Sequence, residues 1–192
     1  MTLTLAVWLV ILGALVLANL PFLIERPLAP WPWGRASRSF GGLLRWVIGL
    51  GFVGLLALWS WGTVRLAGGA FIGVGSAFFA MKLFVSIALA ALLLYLPGQM
   101  AHKTHPVASA PDAATGPKAA GKSGSASGKP FIDRFLEVMV GYVLIGTLGF
   151  TMELDMGNAF AQRWEFYAVT LALFLVLAYP GFVWRYMMKR RR

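Results

Sequence analysis

The sequence predicts an all-α, polytopic membrane protein with five transmembrane helices, its N-terminus outside and its C-terminus inside. Three observations predict it. Five apolar stretches approach or exceed the roughly 20 residues that a helix needs to cross a bilayer. The 192 residues are 59% hydrophobic and only 12% charged, far more apolar than an ordinary soluble domain. Basic residues also alternate in register with the apolar stretches, and positive charge collects on the cytoplasmic side of a membrane.

The first span runs from Leu3 to Ile24. It has no basic region ahead of it and no small-x-small cleavage site, so it reads as an uncleaved helix. The second covers about Leu43 to Val64 and the third about Phe71 to Leu96. The fourth lies near Phe135 to Met152, and the fifth near Glu165 to Tyr186. The first connection holds Arg26, Arg35 and Arg38, with Arg45 at the edge of the second span. Lys103, Lys118, Lys122, Lys129 and Arg134 lie between the third and fourth spans. Arg185, Lys189, Arg190, Arg191 and Arg192 form the tail. The two remaining connections are poor in basic residues, so alternate loops face the cytoplasm.

This distribution also bears on the net charge of +10. Basic residues that act as topogenic signals explain it without a nucleic-acid partner, and none is expected. The absence of Cys excludes disulfides, thiolate metal sites and cysteine nucleophiles within the chain. Residues 98–130, dominated by Ala, Gly, Ser, Pro and Lys, lack the apolar content that offsets ordering entropy. They read as a flexible cytoplasmic linker between a three-helix part (1–97) and a hairpin with a basic tail (131–192). Trp31-Pro32-Trp33 reads as an interfacial anchor ahead of a ligand-binding aromatic box.

The two parts carry a candidate internal repeat. Setting Leu43–Leu58 against Phe135–Phe150 aligns Gly49 with Gly141 and Gly54 with Gly146. Lys82–Gly98 then falls on Glu165–Gly181, with Pro97-Gly98 on Pro180-Gly181. A duplication of this kind is parallel, about an axis along the membrane normal. It matches Arg45 with Glu137 and Lys82 with Glu165, opposite charges that suggest two ion pairs between helices. An ionisable residue inside a span is a functional candidate, and Lys82 has the best claim to depth. The competing reading is that it pairs or snorkels to the interface.

Other constellations are weaker. His102 and His105 share the i, i+3 spacing of metal ligands, yet no neighbouring carboxylate or thiol completes a site. No cofactor and no metal are expected. Asn19 and Pro21 can bend the first span and free a carbonyl, which points to packing geometry before a binding site. Gly73-Val74-Gly75 lacks the basic residue of a phosphate loop. No Ser-His-Asp set or paired carboxylates in a soluble cleft are present, so an enzyme is not expected.

The segments AVWLVILGALVLANLPFLIERPL (Ala6 to Leu28) and RWEFYAVTLALFLVLAYPGFVWRY (Arg163 to Tyr186) resemble a family of small, uncharacterised inner-membrane proteins found mainly in betaproteobacteria. Members of that family have about three spans, so residues 35–130 read as an insertion. Their genes tend to lie beside those of the proton-pumping NADH:quinone oxidoreductase, respiratory complex I. The resemblance therefore implies a non-catalytic accessory subunit or assembly factor of a respiratory complex in the bacterial inner membrane. Its partners would be membrane lipids and membrane subunits of that complex. Trp164, Tyr167, Tyr179, Pro180, Trp184 and Arg185 are then the residues expected to pack and anchor. The alternative is a small transporter or channel with a pseudo-symmetric four-helix core, for which Lys82, Ser86, Thr147 and Thr170 are the polar groups within spans.

Overall fold

The structure is a computed structural model that describes residues 3–24, 28–30, 42–67, 76–103, 131–157 and 160–188, with only the backbone of residues 45, 67, 76–77 and 97–103. Five helices fill them: α1 (Leu3–Leu23), α2 (Gly42–Ala67), α3 (Ser76–Lys103), α4 (Phe131–Asp155) and α5 (Trp164–Val183). A π-helical turn (Trp184–Met188) continues α5. All five helices are long and apolar enough to cross a membrane. The protein is a multi-pass, all-helical membrane protein.

The largest difference from the sequence expectation is at the end of α3. The third span was expected to stop at Leu96, yet the helix runs through Pro97-Gly98 to Lys103. Proline removes one backbone donor and disturbs one carbonyl, which is insufficient to end a helix of this length. The same holds for Pro180-Gly181, inside α5. The first residues assigned to the linker are thus helical, and its remainder, 104–130, lies outside the described residues. So do Trp31-Pro32-Trp33, Gly73-Val74-Gly75, His105 and the tail from Lys189 onward.

α4 is the central helix. In its spanning stretch 56% of the residues are buried, against 17% for α1 and for α5. Val138, Gly141, Leu144, Ile145, Leu148 and Met152 recur at three- and four-residue intervals along its buried side, the spacing of one helix face. α1 and α5 are apolar all round and so present most of their surface to lipid.

Small residues decide how closely α1 approaches. Ala6, Ala14 and Ala18 are buried on it, and Ala14 and Ala18 make the small-xxx-small spacing of close membrane helix contacts. Gly149 of α4 faces Val10, Gly13 faces Ile145, and Gly141 faces Leu17. This order makes α1 antiparallel to α4. A methyl group on Gly141 would sit 3.3 Å from the Leu17 carbonyl oxygen and 3.4 Å from the Phe174 ring, so this glycine sets the spacing of three helices. Pro21, four residues after Leu17, is what disturbs the hydrogen bond of that carbonyl.

α1 thus packs chiefly on α4 and α5, the partners furthest from it in sequence. The second unit is the α2–α3 hairpin. The Trp59 indole Nε1–H donates to the Ser86 carbonyl at 3.0 Å, and the Thr63 and Ser86 hydroxyls meet at 2.6 Å. The hairpin reaches the rest chiefly through α2, where the Ser60 and Thr147 hydroxyls lie 2.7 Å apart. Helix packing therefore groups α1 with α4 and α5 and seats the α2–α3 hairpin against α4, an arrangement that crosses the division at residues 98–130. The aligned glycines of the candidate repeat agree in burial: Gly49 and Gly141 are buried, Gly54 and Gly146 exposed. The two hairpins nonetheless pack differently, since α2 and α3 meet directly whereas α1 occupies much of the seam between α4 and α5.

Gly141→Leu should destabilise the fold by about 1–3 kcal/mol, the usual cost of overpacking. Gly54→Leu, whose Cβ meets nothing within 4 Å, should stay within about 0.5 kcal/mol of wild type. Unfolding in detergent, followed by circular dichroism, measures both.

Candidate functional site

Polar chemistry is concentrated at the two ends of the α1/α4/α5 unit, and the ends differ. One end, where α1 and α5 finish and α4 begins, is closed by buried polar contacts. In an uninterrupted helix the Gly181 N–H would donate to the Leu177 carbonyl, four residues back. Asn19 of α1 inserts its amide between them. The Gly181 N–H donates to Asn19 Oδ1 at 2.6 Å, and Asn19 Nδ2 donates to the Leu177 carbonyl at 2.9 Å. The same Nδ2 also donates to the Leu15 carbonyl at 2.7 Å. Pro180 loosens this turn of α5, and a neighbouring helix satisfies the freed groups, as buried backbone in lipid requires. A Cβ on residue 181 would lie 2.7 Å from Asn19 Oδ1, so only glycine admits the amide.

Arg134 completes this end. Its side chain is 1% exposed, and Nη1 donates to the Pro21 carbonyl at 2.6 Å and to that of Phe22 at 3.4 Å. The last carbonyls of a helix have no partner within it and carry the negative end of its dipole. A guanidinium is suited to both requirements. Asp133 and Glu137, also buried, supply negative charge in the first two turns of α4, where the helix dipole favours it. Glu137 Oε1 accepts from the Leu28 N–H at 2.7 Å, which ties the chain beyond α1 to α4. Phe182 packs against Phe22, Phe131 and Tyr186, with ring centroids 4.9–6.2 Å apart.

At the other end α4 and α5 diverge around a cavity of about 670 Å³ that α1 also lines, with Ser60 and Val64 of α2 at its edge. Its walls are largely apolar, among them Ala6, Val10, Val143, Gly146, Leu173 and Phe174. Midway along it the Tyr142 hydroxyl lies 2.8 Å from that of Thr170 and donates to the Tyr167 carbonyl at 3.0 Å. At its mouth Gln162 Nε2 donates to Glu153 Oε2 at 3.3 Å.

The residues singled out from sequence fall as follows. The Arg45 side chain lies outside the described residues, so of that pair the structure places Glu137 alone. Lys82, near the start of α3, and Glu165, in the first turn of α5, make no ion pair among the described residues. Their helices do not pack as neighbours: α3 contacts α2 and α4, whereas α5 contacts α1 and α4. Glu165 is exposed, and its carboxylate complements the positive end of the α5 dipole. Trp164, Tyr167, Tyr179, Pro180 and Trp184 are exposed along α5 and its π turn, and Arg185 is half-buried. Tyr179 also stacks on Phe182, and the Trp184 N–H reaches back to the Pro180 and Gly181 carbonyls.

Sequence reading missed the polar lock. In the sequence Arg134 reads as a topogenic loop charge, and Asp133 carries no distinguishing pattern. The available signal was three charged residues, Asp133, Arg134 and Glu137, within two turns of an apolar helix.

The five spans and the polar lock define a multi-pass helical-bundle membrane protein. Residues 120–189 match the family model of a protein of unknown function, DUF2818, a stretch that takes in all of α4 and α5. No curated protein and no solved structure matches the chain.

Arg134→Met should cost about 2–3 kcal/mol, because it leaves the buried carbonyls at the end of α1 without their charged donor. Asn19→Ala should cost only about 0.6–1.7 kcal/mol, the range measured for hydrogen bonds between membrane helices. Thermal unfolding of the two variants in one detergent orders them.

Proposed function

We propose that the protein is a non-catalytic accessory subunit or assembly factor of a respiratory membrane complex, foremost the proton-pumping NADH:quinone oxidoreductase of the bacterial inner membrane. The observation that carries the non-catalytic part is the use to which the polar groups are put. Ser86 is engaged with Thr63 and Trp59 between α2 and α3, Thr147 with Ser60 between α2 and α4, and Thr170 with Tyr142 between α4 and α5. They hold separate helix seams together and do not follow one another along a path. That arrangement suits a protein that works by contact more than the competing reading of a small transporter or channel.

The link to complex I comes from the resemblance of the chain's two ends to three-span inner-membrane proteins encoded beside that complex. The grouping of α1 with α4 and α5 supports it. These helices make a three-span unit by themselves, and α2–α3 is attached at its side as an insertion would be. In this reading the N-terminus is outside, and the end of the bundle with Arg134 and Arg185 faces the cytoplasm. The exposed aromatic residues of α5, with Trp164 and Tyr167 at one end and Tyr179 and Trp184 at the other, form the surface offered to a larger membrane subunit and its lipids.

Deletion of the gene should lower the amount of assembled complex I and its NADH:quinone activity in membranes. The N-terminally tagged protein should co-purify with membrane subunits of that complex. Intact, fully active complex in the deletion strain would refute the proposal.

A further inference from the structure

The cavity between α1, α4 and α5, edged by Ser60 and Val64 of α2, has dimensions that suit one acyl chain. Along α1 it runs from Leu3 to Ala14, roughly 16 Å at the rise of an α-helix. Along α5 it runs over a similar distance, from Phe166 to Leu177. This is about half the thickness of a ~30 Å hydrocarbon core, the depth of one leaflet. Its volume of about 670 Å³ falls in the range of small-molecule sites, about 300–1,000 Å³.

The polar groups are graded along it. The Tyr142 and Thr170 hydroxyls satisfy each other and nearby carbonyls, and those of Ser60 and Thr147 pair with one another, so the interior asks nothing polar of an occupant. Gly146 leaves a wall open there, since a Cβ would meet nothing within 4 Å. The mouth is different. Glu153 lies there half-buried, one carboxylate oxygen accepting from Gln162 and the other making no hydrogen bond among the described residues. A half-buried carboxylate at the level where headgroups begin attracts a cation, and an ammonium with N–H donors can also hydrogen-bond to it.

We infer that this cavity is a phospholipid site that takes one acyl chain between α1, α4 and α5 and sets a primary-ammonium headgroup, that of phosphatidylethanolamine, against Glu153. A quaternary ammonium has no N–H to offer, and an anionic headgroup is repelled, so the site selects by headgroup as well as by chain. It would do so whether or not the protein joins a respiratory complex.

The test uses the full-length protein in nanodiscs of equal parts phosphatidylethanolamine, phosphatidylcholine and phosphatidylglycerol. Lipid retained after transfer to mild detergent is counted by native mass spectrometry. Wild type should retain phosphatidylethanolamine in several-fold excess over the other two. Gly146→Leu and Val143→Phe, which fill the cavity from its open wall, should each lower retained lipid several-fold while their unfolding midpoints stay at the wild-type value. Two lining variants are used so that a folding defect in one leaves the other to report. Glu153→Gln should keep the lipid but lose the headgroup preference. Retention in the proportions of the mixture, a preference for phosphatidylglycerol, or undiminished retention in folded lining variants would overturn the inference. Because the isolated chain is measured, these outcomes are independent of complex I assembly.

Discussion

The bundle depends on the end of α1 that carries Asn19 and Pro21 being held against α4 and α5. In lipid no water is available to a backbone group that loses its helical partner, and each one left alone costs several kcal/mol. Prolines create such groups in both α1 and α5. The Asn19 amide answers the break in α5, and the Arg134 guanidinium answers the carbonyls at the end of α1. Net gains from such bonds are modest, about 1 kcal/mol each in membranes. The penalty for leaving the groups unmet is larger, and this asymmetry fixes the register of three helices. Gly141 and Gly181 then allow the close approach that the bonds require.

How much of this was legible in the sequence follows from the range of each interaction. The spans are a local property, so apolar runs located all five helices to within a few residues, apart from the far end of α3. Helix continuation through Pro97-Gly98 was not legible, because a proline signals a break only in proportion to what surrounds it. Partner choice is not local. Asn19 acts on residues 158 and 162 positions away, and no periodicity in α1 announces it. Charge matching across the candidate repeat did propose partners, yet Lys82 and Glu165 lie on helices that are not neighbours. At the site, Glu137 was legible as a charge acting between helices, though with Arg45 as its proposed partner, whereas Arg134 was masked by its position among loop residues of the same sign.

The two ends of the unit have opposite character. At the locked end, charge, amide and aromatic rings are packed together and buried, with Phe182 at the centre of the rings. At the other end α4 and α5 diverge, and the contacts between them are hydroxyls along a cavity wall. A bundle that is rigid at one end and open at the other can hold a lipid without being destabilised when the lipid leaves. The α2–α3 hairpin joins this unit through the Ser60–Thr147 hydroxyl pair and a shared apolar core, in which Phe52, Leu56 and Trp59 pack with Val140, Leu144 and Leu148.

The central claim is that α1 is the third member of the α4–α5 unit, and the absence of cysteine from the chain allows a direct measurement. Val10 and Gly149 face each other across α1 and α4, with a Cβ on Gly149 placed 3.7 Å from a Val10 methyl. A cysteine at position 10 would carry its Sγ where that methyl stands, within reach of a cysteine at position 149. Cysteines at both positions should form an intramolecular disulfide on mild oxidation in native membranes. A control pair at Val10 and Leu89, an exposed residue of α3, should not. Efficient cross-linking of the first pair with none in the control is the predicted result. No cross-link between positions 10 and 149 in folded protein would contradict the account.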